Sequence, residues 1–436
     1  METIVAKFGG TSLADAKQFR KVRDIILKDA NRKYVIASAP GKRYPEDIKV
    51  TDLLLQCYEN AVNGVNYGAI LTDVRDRFHD IIVDLELEFP IDEEIEILRR
   101  HLMKHPDRDY MASRGEYLNS RILAEYLGFT FVDPAWCVTF DSNGNVDPVM
   151  TRRALAAALH PLDHAVIAGF YGADEDGVIH TFSRGGSDIT GSLVARAVKA
   201  DLYENWTDVS GLMAADPRVV RDPRVVEYLS YRELRTLSYM GASVLHTDAV
   251  LPAAELDIPI NIRNTNRPAD AGTMIVRKLP KGKKKYPMVG VAGRLGMSVI
   301  QIEKVMVSEK SGFSAIILDI LKNRNLPFEQ CLTGIDTVTL IMQDRLLSPI
   351  REELAQEIED ALHPDYLGFR DNLAMIAVVG EKDTENAANS CVLSALSEAG
   401  IEISTINQGA GKLNLLVGVP AEKYEDAIKA IYASFE

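Results

Sequence analysis

The sequence predicts an α/β protein: a largely parallel sheet between helix layers over residues 1–279, followed by two smaller α+β modules. Three observations carry this reading. Short apolar runs such as KYVIASAP (33–40), HAVIAGFYG (164–172) and ADLYENWTDV (200–209) alternate with helical stretches such as 109–127, the rhythm of strands joined by crossover helices. A Lys-rich segment with Pro and Gly, RKLPKGKKKY (277–286), then interrupts the pattern as a solvated linker would. Beyond it, the order β-α-β-β-α occurs twice, as in a tandem duplication of one small module.

Taken in order, Met1 to Phe8 reads as a buried strand, because Ile4, Val5, Ala6 and Phe8 are apolar. Gly9-Gly10 then turns the chain, and Ser12 reads as the N-cap of an amphipathic helix over LADAKQFRKVRDIILKD. Ser38 ends the next apolar run, Thr51-Asp52 precede a helix, and Gly128 stops the helix that contains Glu116. After the linker, placed at 280–287, the first module spans 288–363 and the second 364–436, with strands open to exchange between them. The second module ends in a helix, so its fourth strand must come from elsewhere. PMVGVA (287–292) is the nearest apolar candidate.

Composition bounds the function. A chain of 436 residues with 47% hydrophobic and 26% charged content can bury two or three cores. A net charge of −14 argues against a general nucleic-acid or anionic-membrane surface, so any anion site must assemble its own cations. Four separated cysteines without a CxxC pair point to reduced thiols, and no apolar run is long enough to span a membrane; the expected location is cytoplasmic. DSNGNVD (141–147) fails as a calcium loop, since Val146 takes the glycine position and Arg152 that of the bidentate Glu. His101 and His105 lack the glutamate of a zinc HExxH motif. No protein metal site is expected.

The chemistry concentrates in a few stretches. In VAKFGGTS (5–12) a strand, a glycine turn and a helix start would aim backbone N–H groups and a positive dipole end at an anion, and Lys7 adds a mobile charge. This is no P-loop, because the lysine precedes the glycines. In FSRGGSDITGSLVARAVKAD (182–201), Gly185 and Gly186 allow close backbone approach, Ser187 or Asp188 can cap the next helix, and Arg184 offers a planar fork for carboxylate or phosphate. In ENWTDVSGLMAADPRVV (204–220), Thr207 and Asp208 end a strand, and Asp216-Pro217-Arg218 forms a turn that could present Arg218 to phosphates. Taken singly, each has a bland alternative: a tight turn, a capped turn, or, for Glu116, a solvated helix face.

Together, KFGGTS, the Ser38 to Thr51 segment, SRGE, SRGGSD, WTDV with ADPR, and MGASVLH resemble, in that order, the aspartate kinases of the amino acid kinase family, and the tandem modules resemble their paired ferredoxin-like ACT domains. The resemblance implies ATP-dependent phosphorylation of the side-chain carboxylate of L-aspartate, on the route to lysine, threonine and methionine. It implies catalytic roles for Lys7 and Asp188, with Asp188 orienting Lys7. Nucleotide contacts would come from Lys7, Gly9, Gly10, Thr207, Asp208, Met213, Arg218 and Ser243, and aspartate contacts from Ser38, Thr51, Glu116 and Arg184. Met213 stands where many relatives carry a tyrosine, and Ser243 where many carry a lysine. Mg²⁺ would arrive with ATP. A sister kinase for another acid, a non-catalytic amino-acid sensor and a nucleic-acid-binding regulator are the alternatives.

The modules lack a catalytic cluster, which favours sensing. The resemblance implies a feedback amino acid, lysine or threonine, bound where ACT domains of two chains meet in a homodimer or larger assembly. Val307, Lys310 and Gly312 would open a helix toward the effector carboxylate, and the stretch from Glu329 to Thr333 would offer a carboxylate to its ammonium.

Overall fold

The computed structural model describes residues 2–183, 185–242, 245, 249–280, 286–305, 312–380, 385–408 and 414–435. Arg184, Ser243, Val307 and Lys310, all named above, lie outside the described residues. The chain forms two units: 1–212 with 225–234 and 243–281, and 213–224 with 235–242 and 282–436.

An eight-stranded sheet organises the first unit, in the order 130–132, 165–168, 32–37, 4–8, 202–207, 260–264, 273–276, 228–230. Every pairing is parallel except that of Ile260–Asn264 with Thr273–Val276. All five residues of Ile4–Phe8 are buried, because helices cover both faces. The chain leaves this strand toward Arg32–Ala37 on one side and later returns as Leu202–Thr207 on the other. That reversal puts a crevice beyond Phe8, where ligands of open parallel sheets bind. Phe8, Phe19, Leu54, Phe78, Met111 and Trp206 belong to one hydrophobic core of this unit.

Two helix starts differ from the sequence reading. Asp15, and not Ser12, caps the helix Ala16–Leu27, its carboxylate accepting from Gln18 N–H at 2.9 Å. Ser12 sits in a short turn and its hydroxyl meets that of Thr265 at 2.7 Å, both buried. Helix Gly186–Val198 is entered through Gly185 at φ 61°, with no side-chain cap. Neither Ser187 nor Asp188 serves as the cap, because both already lie inside the helix. The helix Arg108–Leu127, by contrast, starts on Asp107 and ends on left-handed Gly128 at φ 69°.

The second unit holds a six-stranded antiparallel sheet in the order 330–333, 337–343, 288–303, 366–380, 414–420, 405–408. Two strands are long: Met288–Glu303 and Tyr366–Gly380. Met297–Glu303 pairs with Thr337–Gln343 and with the start of Tyr366–Gly380, whereas Met288–Arg294 pairs with its end, from Met375 to Gly380. Each long strand therefore serves both modules, and residues 288–294 edge the second one. Residues 213–224, ahead of the expected boundary at 279, join this unit: Val291 N–H donates to Ala214 O at 2.7 Å, and Arg224 N–H to the Tyr432 hydroxyl at 2.8 Å.

Candidate active site

Lys7 is the last residue but one of the central strand Ile4–Phe8, in register with Ile36 on one neighbour and Asn205 on the other. It is only 7% exposed, and a buried ammonium requires a partner. Asp188, in the first turn of helix Gly186–Val198, supplies it: Lys7 Nζ lies 2.5 Å from Asp188 Oδ1, and Asn205 Nδ2 donates to the same oxygen at 3.0 Å. An ammonium has three donors, so this pairing fixes Lys7 while leaving donors for another anion.

The two glycines follow at once. Gly9 N–H donates to Trp206 O at 3.0 Å, and Gly41 N–H to Gly10 O at 2.8 Å. A Cβ on Gly10 would stand 2.9 Å from Ala39 O, and one on Gly41 only 2.6 Å from Gly10 C. The absence of side chains is what lets residues 39–41 lie against the turn. Ser38 N–H donates to Phe8 O at 3.2 Å, and Ser38 O accepts from Asn119 at 2.7 Å.

Glu116 lies one helical turn before Asn119 and is buried. Burial pushes its carboxyl up to about 8, against the opposing pull of its hydrogen bond from Ala39 N–H and the nearby charges of Arg114 and Lys7. One of its oxygens, Oε2, has no hydrogen-bond partner. A buried carboxyl with an open acceptor is suited to a cation. Thr51, in the first turn of Val50–Val62, packs near the same helix, its Oγ1 3.6 Å from where a Cβ on Gly115 would be. Lys7, Asp188, Gly9, Gly10, Ser38, Thr51 and Glu116 thus all belong to the first unit, around the end of its central strand.

Thr207 ends its strand, its hydroxyl donating to Asp208 Oδ1 at 3.2 Å, while Asn264 Nδ2 donates to Asp208 O at 3.1 Å. Met213 and Arg218 belong to the second unit. Arg218 is exposed and doubly bonded to Asp216, with Nη2 to Oδ2 at 2.7 Å. These bonds hold the Asp216 carboxyl below its usual range, outweighing burial, which raises it. Gly312 enters the helix Phe313–Asn323 at φ 99°, and exposed Thr333 ends the strand Gln330–Thr333. The Glu329 carboxylate accepts from the Tyr239 hydroxyl and, at 2.7 Å, from Gln343 Nε2, with Arg294 Nη1 at 3.6 Å. Among the described residues no group of three or more His, Cys, Asp or Glu could hold a metal ion, and no helix is long and apolar enough to cross a membrane.

The sequence reading missed Asn205, Asn119 and Gly41. Asn119 had a signal, since it is three residues after Glu116 and shares its helix face. Asn205 and Gly41 had none, because strand register and a loop's approach to a distant turn are not local properties.

The amino acid kinase family profile matches residues 2–264, and an ACT domain profile matches 376–435. Aspartokinase 3 of Bacillus subtilis is 36% identical over 99% of this chain and 98% of its own. A crystal structure of Clostridium acetobutylicum aspartate kinase superposes with a TM-score of 0.88 at 41% identity, covering 100% of both chains. Escherichia coli aspartokinase III, in complex with aspartate and ADP, gives 0.79 at 26% identity over 99% of each chain; its complex with lysine and aspartate gives 0.74 at 26% over 100% of each.

Proposed function

The chain belongs to the amino acid kinase family, among its ATP-dependent kinases of aspartate, and from that premise we propose that it transfers the γ-phosphoryl group of ATP to the side-chain carboxylate of L-aspartate, giving 4-phospho-L-aspartate. The observation that carries this is the buried Lys7–Asp188 pair beside the Gly9-Gly10 turn, with the open Glu116 carboxyl close enough to feel the lysine. An aspartate side chain ionises near pH 3.9, so at neutral pH the nucleophile needs no general base. The protein's task is to bring two anions together and to stabilise charge on the phosphoryl group in flight.

In this reading Asp188 and Asn205 hold Lys7 against the phosphoryl oxygens, and the glycine turn adds N–H groups. Glu116 takes the substrate ammonium, with Ser38 and Thr51 completing its pocket and Arg184 receiving the α-carboxylate. Thr207 and Asp208 contact the nucleotide, as do Met213, Arg218 and Ser243. Mg²⁺ bound with ATP neutralises phosphate charge and is held mainly by phosphate and water.

Lysine or threonine is the proposed feedback effector, lysine favoured because the Escherichia coli relative binds it. Glu329 would receive the effector's ammonium, and the ACT modules would assemble a homodimer or larger oligomer. The test is ADP release with purified enzyme over a panel of amino acids, with hydroxylamine trapping the acyl phosphate. Aspartate-dependent hydroxamate is expected. Equal turnover with glutamate, or none with aspartate, would overturn the reading.

A further inference from the structure

We propose that Arg77 is a positioning residue for the aspartate pocket, its guanidinium fixing the 38–51 segment that bears Ser38 and Thr51 and lies against the glycine turn. This rests on the aspartate kinase reading above.

Arg77 projects from the helix Gly68–Asp84 and is 5% exposed. Its Nη2 donates to Gly41 O at 2.8 Å, and its Nη1 to Ile48 O at 3.1 Å and to Asp47 Oδ2 at 3.0 Å. One planar group thereby binds the segment near both ends. Gly41 carries the effect inward, because its N–H bonds Gly10 O while its carbonyl receives Arg77. Pro40 O accepts Val50 N–H at 3.3 Å, which closes the neck of the loop just before Thr51. Asp47 is doubly held by Arg43, from Nε at 2.9 Å and Nη2 at 3.2 Å.

Stability alone is a poor reason for this arrangement. Burying a guanidinium is costly before its partners offset it, and an apolar side chain of similar volume often does as well. Arg77 also leaves its Nε buried without a partner. What an apolar side chain could not do is hold two backbone carbonyls and a carboxylate at fixed separations. Lysine could not either, since its point charge lacks the planar fork.

Loss of the fork should loosen the 38–51 segment while the Gly9 N–H bond to Trp206 O keeps the nucleotide side of the turn in place. In Arg77→Met the KM for aspartate is expected to rise at least about tenfold while that for ATP stays within about twofold, the signature of lost substrate positioning. Ethylguanidine added to Arg77→Ala should lower the aspartate KM again, a rescue that a general loss of stability would not show. Should both fail to fold, Arg77→Lys decides, because it keeps the charge but gathers its donors on one nitrogen and loses the fixed separations of the fork; the same split in KM is expected, in milder form. An active parent enzyme whose variants keep both KM values, with kcat falling in step with Tm, would overturn the positioning role alone. A parent without aspartate-dependent turnover would overturn the underlying reading with it.

Discussion

Glu116 and Lys7 set the behaviour of the site residue by residue. With its carboxyl pushed up to about 8 by burial, Glu116 is mostly protonated at neutral pH, whereas the substrate ammonium proposed for it would need it ionised. Aspartate binding below that value should therefore expel a proton, and KM for aspartate should fall as pH rises toward about 8 and then level off. Glu116→Gln should weaken aspartate binding and abolish that slope; a slope that survives would place the titration elsewhere. The stability effect has the opposite direction. A carboxyl whose folded value lies above the ordinary 4.5 contributes stability below that pH and loses it as pH rises toward about 8, so the Tm of the ligand-free enzyme should drift down over this window and flatten in Glu116→Gln. For Lys7→Ala, loss of a preorganised charge should lower kcat by about a hundredfold or more. Because that variant strands Asp188, the double variant Lys7→Met with Asp188→Asn should regain stability without activity. Turnover that recovers with stability would show that Lys7 is only a structural partner.

Among the elements, those that end on a local signal were legible in the sequence and those fixed by distant contacts were not. The helix Arg108–Leu127 had its Asp and Gly in plain view. Ser12 looked like a cap because serine before an amphipathic run usually is one, but Thr265, 253 residues away, claims its hydroxyl. Asp188 was legible as the partner of Lys7 only through the resemblance, since no local rule connects a helix first turn to a lysine on a strand. Glu329 shows the same limit. The sequence offered a free carboxylate, while the structure engages it with Tyr239, the last residue of helix Tyr231–Tyr239. If an effector ammonium binds Glu329, it must compete with that hydroxyl. Tyr239→Phe, which removes the competitor, should then shift the lysine concentration for half-inhibition by severalfold, with kcat near that of the parent, whereas Glu329→Ala should abolish inhibition. An unaltered lysine response in both variants, against a parent that is inhibited, would move the effector site away from Glu329.

Across the whole molecule, the repeated β-α-β-β-α order was legible, yet it did not show which strands pair. Alternation within a strand specifies its faces, whereas its neighbours are chosen by contacts far away in sequence. The run 287–292 and the run after Gly296 looked like separate segments; they form the single strand Met288–Glu303, whose first part edges one module while its second part sits inside the other. Tyr366–Gly380 crosses in the same way. Each module therefore depends on residues that a cut at 363/364 assigns to its neighbour, and neither half-sheet can open without disturbing a strand of the other. The pairing of Gly290 to Arg294 with Met375 to Val379 places this strand beside Ile376 and Val378, which are buried in the native sheet. A fragment comprising 286–436 should accordingly melt cooperatively and at higher temperature than one comprising 296–436, which loses the edge strand and exposes that apolar surface to water. Far-UV circular dichroism during heating measures the difference. Coincident melts for the two fragments would mean that residues 288–294 contribute nothing to the second module, and the shared strand would then be a passive connection.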